Sequence, residues 1–153
     1  MRLFAFFLLF GAAFIIDARS AAPQAKPVIL ITAEEAKLEL APSSDLTFRA
    51  GVSRGPSITL VSPKSSESLQ SPIRLQLKFE GRSGAQIDAD SFKLIYAKKQ
   101  AVDLTERVKP FVEAAGVDVP EAMVPPGTHT LRAEIRDKEG RAGSITFTLK
   151  MRN

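Results

Sequence analysis

The sequence predicts an all-β fold, an antiparallel sandwich of about seven short strands with one small helical insert. Three observations carry that expectation. First, two arms near the C-terminus alternate strictly. Leu131, Ala133 and Ile135 oppose Thr130, Arg132, Glu134 and Arg136, while Ile145, Phe147, Leu149 and Met151 oppose Ser144, Thr146, Thr148 and Lys150. Side chains change face at every residue of a strand, so both arms read as half-buried strands. Asp137-Lys138-Glu139-Gly140 joins them as a hairpin turn, with Gly140 at the positive-φ position. Second, Ile73, Leu75, Leu77 and Phe79 alternate with Arg74, Gln76, Lys78 and Glu80. Third, Gly, Pro, Ser and Asp punctuate the apolar segments at short intervals. A lone hairpin is marginal in water, so the C-terminal one needs a covering sheet. Ser57–Val61 and Ile73–Glu80 are the expected cover.

In chain order, Arg2 precedes an unbroken apolar run from Leu3 to Ile16. As a helix that run is about 21 Å long at about 1.5 Å per residue, short of the roughly 30 Å hydrocarbon core of a bilayer. A basic start, a short apolar stretch and small residues after it describe a cleavable secretory signal over residues 1–20, cut after Ser20 in Ala18-Arg19-Ser20. An uncleaved anchor is the alternative. The chain is then exported, periplasmic or secreted, with no transmembrane segment after cleavage. It has no Cys, so its core must hold the fold without disulfides. Losing Arg2, Arg19 and Asp17 takes the 21 basic and 17 acidic residues to 19 and 16, a net charge of +3. That is too small to point to nucleic acid. With 44% hydrophobic and 25% charged residues, the composition is that of a folded domain rather than a disordered chain.

Residues 21–54 read as an N-terminal extension packed on the domain. Thr32 followed by Glu35 forms a capping box, predicting a short helix from Ala33 to about Leu40, ended by Pro42. Ser43–Arg54 suggests an extended arm. The domain proper spans 55–153. Ser57–Val61 is a strand closed by Ser62-Pro63, Lys64–Ser71 a polar loop, Ile73–Glu80 a strand and Gly81–Gly84 a turn. Ile87–Ser91 leads into a strand over Phe92–Tyr96. Asp103 and Glu106 repeat the capping spacing ahead of a helical period at Leu104, Val108, Phe111, Val112 and Ala115, with Gly116 as its stop. Pro110 has no amide to donate, which splits this stretch into two short turns with Pro110 opening the second. Val117–Val124 makes a further strand.

Pro56 to Pro63, Ser71-Pro72 before an alternating strand, Pro125-Pro126-Gly127-Thr128-His129-Thr130-Leu131 and Asp137-Lys138-Glu139-Gly140 together resemble bacterial immunoglobulin-like domains over about residues 55–153. The resemblance implies an immunoglobulin-like sandwich in an exported protein. The layout is also similar to periplasmic copper-carrier domains, but Arg141 follows Gly140, no His lies near the mature start, and His129 is the sole His, so their metal ligands are missing. The fold alone does not name an activity.

His129 falls on the inward face, at the mouth of its strand. One imidazole without thiols does not build a transition-metal site, and packing with a hydrogen bond to backbone is its expected role. Gly143-Ser144-Ile145 reads as a strand start rather than a nucleophile turn, and a serine hydrolase is not the expectation. Glu134 and Asp137 sit at a strand end. Asp88 and Asp90, two residues apart on a loop, are the candidates for calcium, although the run lacks a third Asp or Asn, the glycine and the distal Glu of an EF-hand loop. Turn chemistry competes for them. The binding candidate is a basic stripe of Arg132, Arg136, Lys150 and Arg152, with Lys93 beside it and Glu134 interrupting it, suited to an acidic envelope polymer, lipid head group or protein. A solvated face whose charges discourage edge aggregation is the simpler reading. The sequence thus leads to a non-catalytic exported binding protein without cofactors, recognising a protein or cell-envelope component through the sandwich surface. The alternative is a calcium-dependent structural or enzyme-accessory module.

Overall fold

The computed structural model describes residues 26–41, 54–64 and 68–152, and there the alternating segments are strands. In chain order they are β1 (Val28–Ile29), α1 (Ala33–Lys37), β2 (Ser57–Ser62), β3 (Ser68–Leu69), β4 (Ile73–Glu80), β5 (Ile87–Tyr96), β6 (Val102–Asp103), α2 (Thr105–Val108), β7 (Val112–Glu113), β8 (Gly116–Met123), β9 (Gly127–Asp137) and β10 (Ala142–Met151). They form two mixed sheets. The first runs β1-β8-β4-β2 with β7 also on β8, and the second runs β3-β10-β9-β5-β6. The signal segment, the start of the extension and the arm at Ser43–Arg54, except for Arg54, lie outside the described residues. No helix among the described residues is long and apolar enough to cross a membrane.

The long hairpin is as expected. β9 and β10 stay in register from Ala142 opposite Arg136 to Met151 opposite Gly127. Their inward side chains, Leu131, Ala133, Ile135, Phe147, Leu149 and Met151, are buried, and Gly140 takes φ 81° in the turn. The cover comes from the first sheet, through Ile58, Ile73, Leu75, Leu77 and Phe79 as predicted, together with Val117, Val119 and Ala122 of β8. All of these belong to one core. Each such aliphatic side chain taken out of water contributes roughly 1.5–3 kcal/mol. The sheets close on each other where β2 and β10 begin. A Cβ on Gly143 would stand 1.8 Å from the carbonyl oxygen of Pro56, so only glycine lets the backbones meet there.

Several expectations need correction. The Lys64–Ser71 segment is not wholly loop, because β3 within it crosses to the second sheet and pairs in parallel with the end of β10. That pairing uses main-chain groups alone, and polar side chains do not signal it. Ile87–Ser91 is not a loop but the first half of β5. The ladder to β9 slips there, from Asp88 opposite Arg136 to Lys93 opposite Glu134. Ser91 fills the gap: its hydroxyl donates to Asp88 O at 2.6 Å and accepts from the Arg136 amide at 2.8 Å. β8 carries a bulge as well, where Ile73 and Leu75 span Ala122 to Val119, and Pro120, which has no amide to pair, sits in it exposed.

The helical insert starts one residue late. Leu104, not Asp103, is the cap residue, and Asp103 accepts from the Thr105 amide at 2.8 Å. Glu106 makes an ion pair with Lys109 rather than closing a capping box. Pro110 does sit in the second short turn, Lys109–Phe111. Beyond it the chain is extended, and Gly116 opens β8 instead of ending a helix.

The N-terminal extension lies against the body as a strap. β1 pairs in parallel with β8, and the amides of Leu30 and Ile31 both reach Met123 O, at 3.0 and 3.3 Å. Leu30 and Ile31 enter the common core. The capping box forms in full: Thr32 N donates to Glu35 Oε2 at 2.9 Å, and Glu35 N donates to Thr32 Oγ1 at 3.2 Å. The helix it starts is shorter than predicted, because Leu38 is already extended at ψ 148°.

Candidate functional site

The outward face of the second sheet holds the predicted basic residues, but not as one stripe. Along β9 it shows Thr128, Thr130, Arg132, Glu134 and Arg136, matched on β10 by Lys150, Thr148, Thr146, Ser144 and Ala142. Arg132 and Glu134 occupy the middle and pair with each other at 2.7 Å, both largely covered. Ile95 of β5 lies opposite Arg132, and Lys93 opposite Glu134. Thr130 and Thr148 meet through their hydroxyls at 3.3 Å. Lys93 is exposed beside the middle, and the exposed members of the predicted stripe lie toward the two ends. Arg136 is near the turn, and Lys150 and Arg152 are at the other end, beside β3. Eight residues separate the position of Arg136 from that of Thr128, opposite Lys150, which is about 27 Å of strand at about 3.4 Å per residue. Among the described residues the side chains of Arg136, Lys150 and Arg152 make no ion pair. The face thus carries Thr and Ser hydroxyls and the Arg132–Glu134 pair along its centre, with Lys93 beside them and cations at both ends.

The outward face of the first sheet is different. Arg74 binds Asp118 with two nitrogens, Gln76 adds a 3.5 Å contact to the same carboxylate, and Lys78 meets Glu80 at 2.8 Å. Hydrogen bonds from these partners hold the carboxyls of Asp118 and Glu80 below their usual range, and raise Arg74 and Lys78 in turn. An open groove of about 520 Å³ runs over this face between Gln76, Lys78 and Asp118 on its floor and Pro110, Phe111 and Glu113 at its side.

Asp88 and Asp90 do not converge on a common point. Asp88 faces Lys138 at 3.4 Å. Asp90 is exposed and lines a cleft of about 270 Å³ that brings together Lys93 and Lys109 as well as Asp103 and Glu106. Among the described residues no group of three or more His, Cys, Asp or Glu side chains is placed to hold a metal. Asp137 does turn chemistry: its Oδ1 accepts from the amides of Glu139 and Arg141 at 3.1 and 2.9 Å, and its Oδ2 from Arg141 Nε at 2.7 Å. Burial opposes its ionisation, and the Arg141 and Glu139 hydrogen bonds outweigh it, so the carboxyl sits below its usual range.

His129 is buried, with both ring nitrogens in use. Nε2 lies 2.8 Å from Pro125 O, and Nδ1 lies 2.7 Å from the Tyr96 hydroxyl. A carbonyl can only accept, so Nε2 carries the proton, and Tyr96 must donate to Nδ1. Desolvation lowers the imidazole's proton affinity, and the nearby Lys98 lowers it further against the Pro125 bond. Burial also pushes Tyr96 up to about 12.

Two clusters have no counterpart among the predicted sites. Lys98 is buried, with Nζ donating to the carbonyls of Ala36 and Leu38 at 2.9 and 2.8 Å and standing 5.0 Å from the Tyr96 ring centre. Arg107 grips Glu35 through two nitrogens, at 2.8 and 2.6 Å, and also donates to Leu30 O at 2.8 Å. Chiefly through Arg107, Glu35 drops to about 2. Both clusters tie the strap to the body. The capping spacing at Thr32 and Glu35 was the one sequence signal pointing at either.

Compared with known proteins, the chain matches no protein-family model, and no curated protein is significantly similar to it.

Proposed function

We propose that this protein is an exported, non-catalytic binding module, periplasmic or secreted, built on an immunoglobulin-like sandwich and recognising an extended acidic component of the cell envelope. The strand order supports the immunoglobulin-like part. Such sandwiches place strands A, B, E and D in one sheet and C, F and G in the other. Here β2, β4, β8 and β7 follow the first order, and β5, β9 and β10 the second. β3 then stands where a first strand switches sheets to run parallel to the last. The helical insert falls between β6 and β7. Export rests on the N-terminal segment alone.

One observation carries the binding surface: the two cations on the strands of the first sheet, Arg74 and Lys78, are each paired with a carboxylate, while Arg136, Lys150 and Arg152 on the second are left to the solvent. Cations spaced along a strand-length face suit a polyanion that runs along the hairpin, with Thr and Ser hydroxyls between them to meet its polar groups. Each cation near an anionic surface is worth about 1 kcal/mol. The experiment is capture of the processed protein's partners from an envelope extract. Recovery should fall with salt and disappear in an Arg136→Ala/Lys150→Ala/Arg152→Ala variant. Equal recovery from the variant would remove this face as the binding surface.

A further inference from the structure

One continuous line of polar contacts crosses the interior from the Pro125–Gly127 loop to the strap. It passes from Pro125 O to His129, from His129 to Tyr96, from the Tyr96 ring to Lys98, and from Lys98 to the carbonyls at the end of α1. Around it, the Leu40–Lys98 bridge and the Lys99 amide, which donates to Glu39 O at 2.9 Å, complete the docking of the strap's second half. We propose that His129, Tyr96 and Lys98 form a proton-operated latch, which holds Ala36–Leu40 against the body when His129 is neutral and releases that segment in mild acid.

The geometry favours the neutral imidazole. With Nε2 committed to Pro125 O, a second proton must go on Nδ1, where it meets a hydroxyl that is already donating. Tyr96 would have to turn its hydrogen away, and among the described residues its hydroxyl has no other partner. The proton also places a second positive charge beside Lys98, across one aromatic ring. Among the described residues Lys98 is the charge that acts on the imidazole, and no carboxylate offsets it. β10 presents Leu149 opposite His129. Glu35, the carboxylate whose field reaches Tyr96, is held by Arg107 and by the Thr32 amide. Glu39 pairs with Lys99 at the surface.

Of the two cations Lys98 is the one that can move, because its ammonium ends a flexible stem while the imidazole is fixed in the core. When it leaves, the carbonyls of Ala36 and Leu38 lose their donor. Leu30 and Ile31, with Arg107 on Glu35, stay behind in the body. So the strap lifts from Ala36 onward, beyond the anchored Glu35, and the backbone at Lys98 and Lys99 is opened to another chain, together with Leu38 and Leu40, which are already 40% and 67% exposed.

Because His129 is the only His, its imidazole resonances need no assignment strategy. The full chain is titrated from pH 7.5 to 4.5 by NMR, with amide exchange measured at each step and corrected for the intrinsic pH dependence. Protection of the Lys99 amide should fall tenfold or more in step with protonation of His129, while the Leu30 amide keeps its protection. Lys98→Met should lose Lys99 protection already at pH 7.5 and let His129 take up its proton at higher pH. A His129 that titrates without any change at Lys99, or that titrates identically in Lys98→Met, overturns the latch. So does a His129 that stays neutral throughout.

Discussion

The two sheets meet water in opposite ways. On the first, Arg74 and Lys78 each have a carboxylate within reach, and neither cation of its strands is left open. On the second, Arg132 and Glu134 pair in the covered centre and Asp88 pairs with Lys138 near the turn, while among the described residues Arg136, Lys150 and Arg152 make no ion pair. Both faces come from strands with the same apolar-polar alternation, so the pattern that builds the two sheets says nothing about how the charges on each face are paired. What differs is cross-strand register. Gln76 opposite Asp118 brings Arg74 to that carboxylate on the first sheet, whereas Lys150 on the second faces Thr128 and Ser68.

The largest effect should come from emptying the open face. Arg136→Ala/Lys150→Ala/Arg152→Ala should weaken binding to a polyanion about 100-fold, from about 1 kcal/mol per cation, with the melting temperature nearly unchanged because the three side chains are exposed. Next comes the strap, whose main ion pair is neither open nor fully covered. Arg107→Ala leaves Glu35 partly buried beside an unpaired Leu30 carbonyl, and should cost about 2–3 kcal/mol in chemical denaturation. The same pair sets an acid response. The folded Glu35 titrates near 2 against 4.5 unfolded, so it contributes about 3 kcal/mol above pH 4.5 that is lost as the pH falls toward 2. His129 acts over a different window. Its folded value lies below the unfolded 6.5, so its contribution is complete above pH 6.5 and declines as acid is added. A stability curve with one acid limb, starting only below pH 4.5, would contradict the assignment for His129.

Smaller still should be the effect of unpairing the cations of the first face. Asp118→Asn/Glu80→Gln frees Arg74 and Lys78, and should add a few-fold polyanion affinity on the first sheet while costing less than about 1 kcal/mol of stability, since both pairs are exposed. If that variant gains nothing, unpaired cations alone do not make a binding face here.

The sequence conveyed what is local. Alternation over 129–136 and 143–151, the Thr32–Glu35 box and the break at Pro110 all depend on neighbours within a few residues, and all are present. β1 and β3 were not legible, because two-residue strands are held by main-chain bonds to partners far along the chain. Ser91 reads as a turn residue, yet it replaces a ladder bond inside β5. Lys98 reads as a surface lysine, and its burial follows only once residues 36–38 fold over it, 60 or more positions away in sequence. The basic residues of the candidate site were visible by type, but the pairing of Arg132 with Glu134 and the separation of the remaining cations into two ends needed the register.

The most direct test of the proposed surface is an NMR titration of the folded chain with a uronic-acid oligomer long enough to span about 27 Å. Shifts should gather on β9, β10 and β3 around Arg136, Thr130, Thr148 and Lys150, fade as salt is raised, and leave Arg74, Lys78 and Asp118 unmoved. Shifts centred on β4 and β8, or none at all at low salt, would contradict the account.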